Sequence, residues 1–335
     1  MDVSHLTAIS ESTLPDIDKK RALALATHYP DQWMRFDAEV VGAEIPVAVE
    51  LTGTDWTFVG KIDLLCRDPR GLIMIEHKTR STSDVSKPYD PYYQKLSFDA
   101  QISAYHLAQF ALGDPIERTI YDVIKKITTK PKAIPMGSEG ALGTRSEIME
   151  HGTYYKGVVQ LKNWQEPPAK ETPGLYGNRI SYEVMTDPRK FFHQYSLIHR
   201  NRRQLADCAK QLTQICENID RATLDAAWYQ NTSNCFSYGS KCEYFDLCLG
   251  ISDPDDEEKW RERKGSSISG SRSISHSKAT CFQSCRRKYY WRYVKKIEPV
   301  KPDSAALHFG SVFHEALEKF WANRGKGGDD GASKE

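Results

Sequence analysis

Between Gly60 and Arg80 the chain reads GKIDLLCRDPRGLIMIEHKTR, with Asp63 in one short apolar run and Glu76 and Lys78 at the end of the next. Glu76 and Lys78 are two residues apart, so on a strand both side chains leave the same face. If the runs pair as a hairpin across RDPRG, Asp63 and Glu76 converge on one point. Two carboxylates a few ångströms apart repel unless a cation lies between them, and oxygen-only ligation suits Mg²⁺ or Mn²⁺. With Lys78 beside a metal-bound water, the set can polarise a phosphodiester, lower the water's pKa and orient it for attack. Taken alone, the three residues are more often an ordinary solvated Glu–Lys face with a turn-flanking Asp.

The cysteines and one basic stretch also carry chemistry. Eight cysteines in a reducing compartment are not expected to form disulfides, so their spacing matters more than their number. Cys66, Cys208 and Cys216 stand apart, as core or helix residues do. CFSYGSKCEYFDLC supplies Cys235, Cys242 and Cys248, and CFQSC supplies Cys281 and Cys285. The stretch CRRKYYWRYVKK interleaves Arg286, Arg287, Lys288 and Arg292 with Tyr289, Tyr290, Trp291 and Tyr293. That mixture suits phosphates and stacked bases, and it also suits a solvated amphipathic helix. The net charge is only +1, so a polyanion must be held by local patches rather than a global field.

The elements that must position these residues are legible in outline. Residues 17–38 have helical composition. EVVGAEIPVAVELTG alternates as a strand, and WTFVGKIDLLC and LIMIEHKT follow as two more around a Pro69–Gly71 turn. DAQISAYHLAQFAL has helical period, and RTIYDVIKK reads as a fourth strand. Residues 186–230 read as long helices. The polar, Gly/Ser-rich stretch 251–273 reads as a flexible linker between a core over 1–250 and a segment over 274–335. In that segment LHFGSVFHEALEKFWANRG is a patterned amphipathic helix, and the tail GKGGDDGASKE lacks core-forming residues. There is no secretory signal pattern and no apolar run of about 18 residues, so a cytoplasmic protein without a membrane span is expected.

GKIDLL…IMIEHKT followed by QISAY resembles the PD-(D/E)XK nuclease superfamily, in particular the RecB-like exonuclease branch that includes the nuclease of CRISPR adaptation. The resemblance implies an α/β fold, a restriction-endonuclease-like core in which helices flank a mixed central sheet, with further helical and iron–sulfur-bound segments. It implies metal ligation by Asp63 and Glu76, assistance to the water by Lys78, and a Q-x-x-x-Y helix carrying Gln101 and Tyr105. The family's helical G-x-x-x-H matches GSVFH, which makes His314 a further ligand. Alternation points the His77 side chain to the opposite face, so its backbone carbonyl is the better metal ligand. Members of the branch often hold a 4Fe–4S cluster, implied here on Cys235, Cys242, Cys248 and Cys285. Thiolate coordination by itself suits zinc equally, and the resemblance favours iron–sulfur. Cys281 has no family role and is expected as a buried free thiol.

The resemblance runs over about 20–250 and 274–324, but in rotated order, because the Cys285 and His314 segment precedes the strands in relatives. Either the chain is circularly permuted, or it joins the end of one nuclease to the start of another and needs a partner chain. A monomer is favoured, with a domain-swapped dimer as the other arrangement.

These readings lead to a Mg²⁺- or Mn²⁺-dependent DNA exonuclease acting on ends or single strands in recombination, repair or phage DNA metabolism. A helicase or recombinase partner is compatible with that role. Arg286, Arg287, Lys288, Tyr290 and Arg292 are the expected DNA contacts. An inert nucleic-acid-binding module with a nuclease fold is the alternative. A zinc-stabilised interaction protein would explain the cysteines but not Glu76 and Lys78.

Overall fold

A computed structural model of the chain describes residues 4–81, 87, 90–132, 146–150, 153–157, 171, 173–237, 239–263, 272–300 and 305–326. Its centre is a mixed sheet of five strands in the order β1 (Glu39–Glu50), β2 (Thr57–Asp68), β3 (Gly71–Arg80), β4 (Ile116–Lys125) and β5 (Phe192–Ile198). β1, β2 and β3 form an antiparallel meander, β4 runs parallel to β3, and β5 closes the edge antiparallel to β4. Ser273–Ile274 adds a short parallel pairing to the start of β2. The meander follows from tight turn chemistry: Gly71 takes φ 139° between β2 and β3, and Gly53 takes φ 81° between β1 and β2.

Helices cover both faces. On one lie α3 (Ala100–Ala111), α5 (Arg202–Leu224) and α6 (His276–Ser284), whose Ile102, Tyr105, Leu212, Cys216 and Phe282 join Ile62, Met74 and Val123 of the sheet. On the other lie α1 (Ser4–Glu11), α2 (Asp16–His28), α4 (Pro173–Thr186) and α7 (Ala305–Lys326), whose Ile9, Leu25, Ile180, Phe313 and Trp321 join Leu64, Ile73 and Ile124. A sheet buried on both sides explains the near-continuous apolar run of LIMI in β3. Caps define the helix starts. Asp99 accepts from the Ile102 N–H at 2.9 Å, and Asn201 and Gln204 form a capping box at the head of α5.

Three expectations change. The helix expected over 17–38 ends at His28, with Pro30 opening a separate 3-10 turn, since proline lacks the N–H that would continue the ladder. The long helices expected over 186–230 are interrupted by β5. Pro188 starts a short turn there, and FHQYSLI packs Phe192 and Ile198 into the cores of the two faces. Within the expected linker, Trp260–Glu262 pairs antiparallel with Ile297–Pro299, and the Trp260 ring is buried against Tyr244. Residues 264–271 and the tail after Lys326 lie outside the described residues. Among the described residues, no helix is long and apolar enough to cross a membrane.

Candidate metal centre

The β2–β3 ladder pairs Leu64 with Ile75 and runs outward to the turn, so Asp63 and Glu76 face each other where the strands begin to part. There Asp63 Oδ2 takes the backbone N–H of His77 at 2.8 Å in place of a strand partner. Glu44 lies opposite Asp63 in the β1–β2 register, between the Ala43–Leu64 and Ile45–Ile62 pairs. Both strands change phase at these two acids. Ala43 and Leu64 pack on one face of the sheet, whereas Ile45 and Ile62, two residues away, pack on the other. Glu44 holds φ 53°, a left-handed conformation that a side chain other than glycine adopts at a cost. The break turns both carboxylates towards the mouth between the strands instead of into either core.

α7 completes the mouth. One ligand atom each of Glu44, Asp63 and His314 lie within 4.8 Å of one another, and His314 Nδ1 is 4.0 Å from Asp63 Oδ2. Burial, with His77 and Lys78 nearby, pushes the His314 imidazole down to about 4 against the pull of Asp63, so the ring is a neutral nitrogen donor at neutral pH.

Glu76 is only 1% exposed. Its Oε1 accepts from Lys78 Nζ and, at 2.9 Å, from Gln101 Nε2, which also reaches Tyr105 Oη at 3.2 Å. Its Oε2 is buried without a partner among the described residues. Burial raises the Glu76 carboxyl, and the charge of Asp63 adds to this against Lys78. Burial alone would discharge Lys78, but Glu76 and Asp63 outweigh it and hold the ammonium charged well above its usual range. Glu44, Asp63 and His314 together are a donor set that suits a hard divalent cation such as Mg²⁺ or Mn²⁺. Glu76 stands outside that group of three, across the β2–β3 ladder from Asp63, whose charge it feels, and its buried Oε2 without a donor is free to join the ligation.

Behind this mouth His77 is buried, with Nδ1 3.0 Å from Asp122 Oδ2, and Tyr29 Oη donates to the same oxygen at 2.7 Å. Trp321 Nε1 of α7 donates to Tyr29 Oη at 3.3 Å. The His77 side chain thus ties β3 to β4, α2 and α7. On the other side Gly60 lets Tyr105 approach, since a Cβ there would stand 2.5 Å from Tyr105 Cε1.

The model of the PD-(D/E)XK nuclease superfamily matches residues 4–249 and 273–335. The chain belongs to the PD-(D/E)XK nuclease superfamily. No curated protein and no solved structure shows significant similarity to it.

Glu44 is the site residue that sequence reasoning missed. As one acid in the regularly alternating GAEIPVAVE it reads as an exposed strand residue, and only the hairpin register sets it opposite Asp63.

The remaining expected residues separate into two groups. The Asn231 N–H donates to Cys285 Sγ at 3.4 Å, and Cys235 Sγ reaches the Asn231 carbonyl at 3.9 Å. The Cys242 N–H donates to the Cys235 carbonyl at 2.8 Å. Burial raises the Cys242 and Cys248 thiols, and each also feels Cys285. Of the expected DNA contacts, Arg287 Nε donates to the Trp228 carbonyl at 2.7 Å, and Lys288 and Arg292 both pair with Glu243. Tyr290 lies against Trp228. Arg286 instead stacks over Tyr229 and Phe282, and among the described residues no carboxylate pairs with it.

Proposed function

We propose that the chain is a metal-dependent deoxyribonuclease of the RecB-like kind, a single-chain exonuclease working on DNA ends or single strands. The observation that carries this reading is the meeting of Glu44, Asp63 and His314 beside the buried, half-satisfied Glu76. Bound Mg²⁺ or Mn²⁺ would supply a water of lowered pKa and neutralise charge on the phosphate. The chain's own residues do the rest. Asp63, Glu76, Glu44 and His314 supply the ligands. Gln101 fixes the Glu76 oxygen, and Tyr105, raised to about 12 by burial, stays a phenol that holds Gln101. Lys78, held as an ammonium by Glu76 and Asp63, places charge and a proton at the phosphate or water.

GSVFH, which resembles the first family motif, stands late in the chain, and α7 packs on the same sheet, so we read the rotated order as a circular permutation within one chain. Asn323 Nδ2 donates to Ser4 Oγ at 2.7 Å, which brings the regions to be rejoined within reach. Cys235, Cys242, Cys248 and Cys285 fit a 4Fe–4S cluster on the chemistry of four thiols gathered from two distant segments. Burial raises the Cys248 thiol, and the nearby Trp291 N–H offsets part of that rise.

The test is degradation of end-labelled linear DNA and closed circular DNA with Mg²⁺ or Mn²⁺. The reading expects progressive loss of the linear strand and an intact circle. Equal attack on both would replace the exonuclease with an endonuclease, and no cleavage of either would overturn the enzymatic reading.

A further inference from the structure

One face of α5 carries Gln211, Gln214 and Asn218 at helical spacing, beside the apolar stripe of Leu212, Cys216 and Ile219 that faces the core. These amides line a cavity of about 430 Å³ with Tyr229, Phe282 and Arg286. Tyr229 is 58% exposed although it is aromatic, and the Arg286 guanidinium lies 4.6 Å from its ring centre and 5.1 Å from that of Phe282. The cavity therefore combines three kinds of group. Aromatic and guanidinium planes stack on a base, amides offer both donors and acceptors to a base edge, and an arginine without a carboxylate is available to a phosphate.

Its position is equally specific. α6 packs between α5 and α3, the helix whose Gln101 holds Glu76, and it ends at Ser284 and Cys285 on the cavity wall. Nine helical residues rise about 13 Å, the length of about four nucleotides of a stacked strand at 3.4 Å each. A strand whose reacting phosphate lies at Lys78 thus has the cavity within reach a few nucleotides away.

We propose that this cavity is a subsite for one nucleobase of single-stranded DNA. The base stacks on the Tyr229–Arg286 pair, its edge meets the α5 amides and an adjoining phosphate meets the Arg286 guanidinium. The subsite rests on the nuclease reading, because it holds a strand for the metal centre. It shares Arg286 with the basic patch expected from sequence, whose Arg287, Lys288 and Arg292 have partners within the protein.

The experiment is equilibrium binding of a fluorescent oligothymidylate to the cluster-loaded full chain in EDTA, where no cleavage occurs. Tyr229→Ala is expected to weaken binding roughly five- to a hundredfold, the range of one lost base stack, and Tyr229→Phe to bind within about twofold of the parent. An oligonucleotide of abasic sites should bind the parent and Tyr229→Ala alike. Equal binding of thymidylate by parent and Tyr229→Ala would overturn the subsite, and so would a loss on Tyr229→Ala that is just as large with the abasic strand. Mn²⁺-dependent cleavage is scored separately on the parent. If cleavage is present and Tyr229 has no effect, the subsite alone fails. If base-dependent binding through Tyr229 is present without cleavage, the nuclease reading fails and the subsite stands.

Discussion

Glu76 lies in the middle of a sheet packed by helices on both faces, whereas Cys235, Cys242 and Cys248 lie on a stretch whose own buried cluster is Tyr244, Leu247 and Trp260. The carboxylate site is fixed by strands of ten and twelve residues, and by hydrogen bonds from Gln101 and the His77 N–H. The cysteine segment has strands of two and three residues and a single helical turn, Phe245–Cys248. One region owes its geometry to apolar burial and can afford an unsatisfied carboxylate. The other has too little core for that, and under the proposed cluster its order would depend on the group held by the four cysteines. Chemistry and stability therefore reside in different places, and substitutions in the two regions should fail in different ways.

The largest separation is expected from Glu76→Ala. Outer-shell partners of a metal alone cost about 10–100-fold, so removing a ligand should lower DNA cleavage by more than about a hundredfold. The substitution removes a buried oxygen without a donor but strands the Lys78 ammonium, so the melting temperature should shift less than in a cluster variant, and the iron content should not change. Cleavage rates and iron analysis on the same preparation check this. A variant that cleaves at the parent rate breaks the assignment.

Cys285→Ser should do the reverse. Anaerobically purified parent should be brown, with iron and sulfide in similar amounts, and the variant should be colourless and melt several degrees lower. Its residual cleavage per folded molecule should exceed that of Glu76→Ala, since the carboxylates are held by the sheet. Colourless parent protein with stoichiometric zinc would replace the cluster while keeping the staple.

A smaller effect concerns pH and belongs to the sheet side alone. Burial, with Arg200 and His199 nearby, pushes His106 from its ordinary 6.5 down to about 3, and its Nε2 lies 2.7 Å from Thr119 Oγ1. Between those values the unfolded chain binds a proton that the folded chain does not. The contribution of His106 to stability is therefore complete above about pH 6.5 and is lost as pH falls towards about 3. Denaturation midpoints at pH 7.5 and 5 should fall more in the parent than in His106→Gln, with Cys285→Ser showing the parent's slope. Equal falls in parent and His106→Gln would contradict it.

The same contrast decides what the sequence makes legible. Asp63, Glu76, Lys78, Gln101 and Tyr105 are close in the chain and lie on elements whose periods are plain, so the structure finds them together. His314 is two hundred residues away and was found through a motif, not through a period. Glu44 escaped because its strand alternates regularly in sequence while the backbone reverses phase at that residue, a strain that only the folded hairpin imposes. The partners of the basic patch are hidden for a related reason. Composition shows charge but not partners, and Glu243, the residue after Cys242, takes up both Lys288 and Arg292. β5 was hidden inside a helical reading because an edge strand of seven residues has little room to show its period.

Mn²⁺ binding followed by electron paramagnetic resonance is the most direct test of a divalent cation at the meeting of β1, β2 and α7. Titrated into the parent, Mn²⁺ should lose its free-ion signal up to saturation of the site, and Asp63→Asn should leave most of that signal free at the same concentrations. Equal uptake by parent and Asp63→Asn would mean that the carboxylates opposite Glu44 and Glu76 do not hold the metal, and the proposed chemistry would lose its centre.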